Sequence, residues 1–210
     1  MIRRVALALV LLAAAFSIVW STLAAPRVLP RLRVAPGFGL VDATGQRLSS
    51  DALRGQVVLV TFGPAACDDR CREWSRLLAE RLVAVRSDRP VTYLWIVTDP
   101  VDPAELGALA GTLDASLVPW RVLGSSEQRE LDLVLAGFRV PRPTGGATVD
   151  PVLIVVDPAG IVRAEYRTAP ATRALASDLE ALERELRESR GVRRYLYEAA
   201  HLFTCNVGGV

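Results

Sequence analysis

Apolar residues along this chain fall into two kinds of run. Near-continuous stretches rich in β-branched residues occupy Val57–Phe62, Val91–Val97 and Val152–Val156. Such stretches predict strands covered on both faces of a sheet. Between them the spacing changes. Trp74, Leu77, Leu78, Leu82 and Val85 recur at three- and four-residue intervals, while Arg72, Glu73, Arg76, Glu80 and Arg81 fall elsewhere, which predicts an amphipathic helix from Cys71 onward. A second helix is expected over Glu127 to Phe138. A third sets Leu175, Leu179, Leu182 and Leu186 on one face, with Glu180/Arg184 and Glu183/Arg187 as i,i+4 pairs on a solvated face.

Turn residues punctuate these elements. Asp42-Ala43-Thr44-Gly45 joins Phe38–Val41 to Gln46–Leu48 as a short hairpin, and Asp157-Pro158-Ala159-Gly160 joins Val152–Val156 to Ile161–Tyr166 as another. Ser49-Ser50-Asp51 caps one helical turn that ends at Gly55. After the second buried strand, Asp99 and Asp102 precede Pro103, a proline suited to the first position of a short helix. Val118–Val122 is a weaker third strand, and Pro141 to Gly146 is rich in breakers. The order is hairpin, then alternating strands and helices, then hairpin and helix. It predicts an α/β fold with a mixed sheet and helices on both faces. Residues 191–210 form a tail with a helical stretch containing Tyr195, Leu196, Leu202 and Phe203, followed by Cys205.

The N-terminus has a different character. Met1-Ile2-Arg3-Arg4 precedes an uncharged apolar run from Val5 to Ala25, which reads as a signal anchor or a signal peptide. The run is about long enough to cross the ~30 Å hydrocarbon layer, with Arg3 and Arg4 holding the N-terminus inside. Thr22 and Ala24 also permit cleavage after Ala24. Residues 26–37 carry three prolines and suit an extended linker. The expectation is an extracytoplasmic domain, in a periplasm or on the exterior of the cell envelope, tethered to the membrane, or secreted if the segment is removed. Basic and acidic residues are interspersed, 25 against 23, so no basic stripe points to nucleic acid.

The chemistry centres on Cys67-x3-Cys71, placed where a buried strand gives way to a helix. The helix N-terminus with Arg70 and Arg72 favours thiolate; Asp68 and Asp69 oppose it. Two thiolates suit a soft cuprous ion or two-electron exchange, and a permanent disulfide staple is the structural alternative. A tight copper site needs more than two sulfurs, and imidazole is the usual addition. The single histidine, His201, shares a helical face with Cys205 at i,i+4, so a folded-back tail would add two ligands. Asp99 and Asp102 are either outer groups of such a site or helix-terminal carboxylates. No GxSxG, phosphate loop or multi-histidine centre is present.

Phe38-x-Leu40-x-Asp42-x-x-Gly45, Leu53-Arg54-Gly55-Gln56-Val57-Val58-Leu59-Val60-x-Phe62-Gly63, Cys67-x3-Cys71 and Asp157-Pro158-x-Gly160 resemble the Sco/SenC family across residues 36–190. The resemblance implies a thioredoxin-like, peroxiredoxin-like domain at 38–190, tethered to the membrane by an N-terminal helix. Copper would be its cargo, and the copper-site subunit of cytochrome c oxidase, or another exported cysteine-containing protein, its partner. The chain departs from the family at two positions. Arg72 stands where proline usually follows the second cysteine, and Pro151 follows Val149-Asp150 where the family places a histidine ligand. Pro151 is instead similar to the cis-proline opposite the cysteines of thioredoxins, or else simply begins an edge strand. Three functions stay open: copper delivery or thiol reduction during oxidase assembly; copper-free thiol–disulfide exchange with Cys67 attacking, Cys71 resolving and Pro151 in the groove; and a non-catalytic interaction module.

Overall fold

The computed structural model describes residues 3, 6–7, 9–15, 26–83, 85, 87, 89–113, 118–142 and 149–207, with side chains through Leu202. Its centre is one mixed sheet of eight strands: β1 (Arg33–Val34), β2 (Gly39–Asp42), β3 (Arg47–Ser49), β4 (Val57–Gly63), β5 (Val91–Val97), β6 (Trp120–Gly124), β7 (Leu153–Val156) and β8 (Ile161–Tyr166). Their spatial order is β1-β8-β7-β4-β5-β6-β2-β3. β4 runs parallel to β5 from Val57↔Val91 to Gly63↔Val97, β6 continues the parallel set, and β7 is antiparallel to β4.

All seven residues of β4 are buried, which explains the run's lack of alternation. Helices α1 (Asp69–Val83), α2 (Pro103–Thr112), α3 (Gln128–Gly137) and α4 (Leu175–Glu188) pack on the sheet, and α5 (Arg193–Val207) follows. Successive side chains of a strand point to opposite faces. Leu59, Trp95 and Val97 therefore join Trp74 and Leu78 of α1, Leu106 of α2 and Leu179 of α4 in one core. Val58, Val60 and Ile96 join Leu131 and Leu135 of α3 in the other. The fold is the expected thioredoxin-like one, with helices on both faces.

Three expectations need correction. Residues 26–37 are not a free linker: Val28 and Leu29 are buried and Arg33–Val34 pairs with β8, because the apolar residues between the arginines find an open sheet edge. The third strand begins at Trp120 rather than Val118, since Pro119 has no N–H to give a ladder. Glu183 is not solvated; it is buried, reaching Ser87 and Arg89. Among the described residues no helix is long and apolar enough to cross a membrane. Most of the segment expected to do so, including 16–25, lies outside the described residues.

Candidate functional site

β4 ends at Gly63, where a Cβ would lie 2.5 Å from the Trp95 indole; only glycine lets the aromatic ring close against the strand end. Thr98 fastens the terminus, its N–H and hydroxyl both donating to the Gly63 carbonyl at 3.0 and 3.2 Å. Pro64 then turns the chain into a short loop, and the Ala65 N–H donates to Asp99 Oδ2 at 3.0 Å. Asp99 thus holds the loop that carries Cys67. Asp102 is a helix cap, accepting from the Glu105 N–H while Glu105 returns the bond to the Asp102 N–H.

Cys67 and Cys71 are joined in a disulfide, their Cα atoms 5.3 Å apart. Asp68 explains how the second cysteine is placed. Its Oδ1 accepts from the Cys71 N–H at 2.9 Å, and its carbonyl accepts from the Arg72 N–H at 3.0 Å, so Asp68 caps α1. Arg72 pairs with Asp69 and donates to the Cys67 carbonyl at 2.7 Å. Where the family has proline, this chain has a clamp on the loop. Cys67 is half-buried and Cys71 is buried. The pair is asymmetric in burial, Cys67 being the more exposed of the two residues.

A polar chain anchors the site from below. Trp74 Nε1 donates to Thr61 Oγ1 at 3.0 Å, and Thr61 Oγ1 donates to the Val152 carbonyl at 2.8 Å, tying α1 to β4 and to the segment entering β7. That segment carries Pro151, which lines the same small cleft as Cys71, Trp74, Trp95 and Val149. No peptide bond among the described residues is cis. Pro151 therefore stands beside the disulfide on a trans bond, without the cis geometry of a thioredoxin proline. Arg70 reaches across to Asp150 at 2.9 Å. From there a groove of about 380 Å³ continues past Leu77 to Arg167 and Thr168.

His201 does not reach this cleft. His201 is buried, with Nε2 bonded to Glu185 Oε1 at 2.9 Å. Glu185 Oε2 accepts from Arg163 Nη2 at 2.6 Å, and Asp157 Oδ2 accepts from Arg163 Nη1 at 2.9 Å. Arg163 also donates to the carbonyls of Leu29 and Pro30. Strand register locates this cluster. Val156, next to Asp157, pairs with Val58 near the start of β4, whereas the disulfide follows its end. The seven residues of β4 span about 20 Å. The Cys205 side chain lies outside the described residues. No group of three His, Cys, Asp or Glu able to hold a metal is found among the described residues, so among them no third donor of these types stands beside the two sulfurs.

Sequence reasoning missed the Thr61–Trp74 bond and the Arg163 cluster. The first has no local signal, since the two residues become neighbours only through the turn. The second had one: an arginine in a strand that also carries Val162 and Ala164 is a buried charge in need of partners.

A family model described as SCO1/SenC matches residues 28–184. No curated protein sequence matches the chain. Among solved structures the chain is similar to BsSco, a Sco-family cytochrome c oxidase assembly protein with an identified disulfide switch: 21% identity, 75% of this chain and 97% of that one, TM-score 0.62. It is also similar to Arabidopsis thaliana ScoI with copper bound, at 19% identity over 71% of this chain and 98% of that one, TM-score 0.57. A third likeness is the thioredoxin domain of a thiol-disulfide oxidoreductase from Bacteroides vulgatus, at 23% identity over 70% of this chain and 95% of that one, TM-score 0.52.

Proposed function

Given that the chain belongs to the SCO1/SenC family, we propose that it works in cytochrome c oxidase assembly by thiol–disulfide exchange through Cys67 and Cys71, on the extracytoplasmic side of a membrane that its N-terminal segment anchors. The observation that carries this reading is the asymmetric disulfide, with Cys67 accessible and Cys71 buried. In the reduced chain the Cys67 thiolate attacks one sulfur of a client disulfide. A mixed disulfide forms and the client's other sulfur leaves as a thiolate. Cys71 then attacks Cys67, the second client sulfur leaves, and the chain's own disulfide closes. Two electrons have passed to the client, whose sulfurs then take up protons. An exported dithiol reductant would restore Cys67 and Cys71. The client that suits the family is the oxidase subunit whose copper-site cysteines must be reduced before metal enters.

The residues around the pair support the exchange. Asp68 fixes the start of α1, so Cys71 stays in line with Cys67. Trp74 and Pro151 line the small cleft beside Cys71 and narrow the approach to it. Copper as cargo is the second reading, favoured by copper-bound relatives such as the Arabidopsis protein. Two thiolates suit a cuprous ion, but Pro151 offers no donor where the family has histidine, and His201 is engaged elsewhere.

The deciding measurement is the reduction potential of the pair, together with its exchange with a disulfide-bonded peptide. Exchange that depends on Cys67 is expected. A potential below about −300 mV without exchange would leave a structural staple. Anaerobic titration of the reduced chain with cuprous ion tests the second reading, which needs a sub-micromolar site lost in Cys67→Ala and Cys71→Ala.

A further inference from the structure

Helix α5 is apolar on two opposite sides. Tyr197 and Ala200 pack on Val28, and His201 meets Glu185. Facing away, Tyr195, Leu196 and Leu202 are 75%, 61% and 71% exposed, with Ala199 exposed among them and Val192 at 82% just before the first turn. At ~100° per residue these five positions fall on one continuous arc. No charged residue lies within it; Arg193, Arg194 and Glu198 sit toward the packed side. A helix with apolar residues on both sides calls for a second partner for the outer one.

The place of α5 in the fold indicates which partner. The helix is clasped to the residues that follow the N-terminal apolar run. Arg31 donates to both carboxylate oxygens of Glu198 at 3.0 Å each and Val28 packs on Tyr197, while Arg27 ties the same segment to Asp178 of α4 at 2.7 Å. Val5–Ala25 ends three residues before Val28, so the clasp fixes α5 beside the point where that segment would enter a bilayer. We infer that the exposed face of α5 lies on the lipid surface into which the N-terminal segment inserts, a surface-lying helix beside a spanning one. This inference rests on the anchor proposed above.

The make-up of the helix agrees with a lipid surface. Its outer arc carries no charge while Arg193 and Arg194 stand exposed on its other side, as on amphipathic helices that lie in a membrane interface. A tethered helix needs little affinity, because the anchor keeps its local concentration high. With α5 on the lipid near the start of β4, the Cys67–Cys71 pair at the far end of that strand is held away from the bilayer, open to a partner domain.

The test uses the full chain in nanodiscs of phosphatidylcholine and phosphatidylglycerol, made with ordinary or with bromine-labelled acyl chains. Tryptophan is introduced as Leu202→Trp on α5 and, as a control, as Leu133→Trp at an exposed position of α3. The emission each adds to that of the parent is then read. Bromolipid is expected to remove about half or more of the emission added at 202, the depth of a surface helix, and little of that added at 133. Equal quenching at both positions, or none at 202, overturns the inference. So does a residue 202 shielded from aqueous acrylamide but untouched by bromolipid, which would mean that protein covers the face. A chain that resists carbonate extraction with 202 unquenched loses the surface helix and keeps the anchor. A chain that carbonate extracts loses both.

Discussion

The two ends of β4 handle polar groups in opposite ways. Beyond Gly63, the charged residues around the disulfide, Asp68, Asp69, Arg70 and Arg72, are exposed, and Cys67 is only half-buried. Near Val57, Asp157, Arg163, Glu185 and His201 are all buried and bonded to one another. Charges in water are weakly coupled and easily rearranged. Charges inside the fold must be matched, and removing one member strands the rest. The difference separates the end proposed to be reactive from a locked end, and it places the only histidine, whose ring is a member of the locked cluster, away from the cysteines.

The largest expected effects test the reactive end. Cys67→Ser should reduce exchange with a peptide disulfide to background, whereas Cys71→Ser should trap a mixed disulfide visible by mass; a Cys71→Ser chain that turns over normally would reverse the roles. At the locked end, Arg163→Met takes the shared guanidinium from Asp157 and Glu185 and should cost about 3–5 kcal/mol, read from the denaturant midpoint. Exchange per folded molecule should stay unchanged; if it falls, the two ends are coupled.

His201→Ala should lower stability by roughly 1–3 kcal/mol, the range for a hydrogen bond to a charged group, and leave cuprous affinity as it was. A lost copper site would instead bring His201 to the cysteines. Trp74→Phe removes the bond to Thr61 Oγ1 together with part of a buried ring and should cost about 1–3 kcal/mol, with faster exchange if the indole helps shield Cys71.

The smallest effect is a pH dependence at the clasp. The hydrogen bonds that Arg31 gives to Glu198 hold its carboxyl below the usual range, despite an opposing contribution from burial. A carboxylate depressed in the folded state stabilises above the unfolded value, near pH 4, and that share is lost as pH falls through the lower folded value. The stability gap between the parent and Glu198→Gln should therefore close in acid. Both side chains are nearly half exposed, so the gap is small at any pH.

Much of the reactive end was legible beforehand. A buried apolar run, a Gly-Pro turn and two cysteines at the head of an amphipathic helix are all local signals, and the Cys-x3-Cys spacing at a strand end follows from them. Pro151 could be flagged as a departure, but its trans bond and its place beside Cys71 required coordinates. The locked end was opaque because its members lie far apart in the chain. Glu183, by its i,i+4 spacing, reads as a surface residue and is buried, since Ser87 and Arg89 approach from another part of the chain.

The sequence by itself determined the alternation of strands and helices, the two-sided burial of β4 and the presence of a strand-end dithiol, because these rest on periodicity and on neighbours within a few residues. Tertiary structure alone decided which cysteine is shielded, that His201 belongs to Glu185, and that residues 27–31 clasp α5. Each of those depends on desolvation and pairing between groups more than a dozen residues apart, which no local pattern encodes.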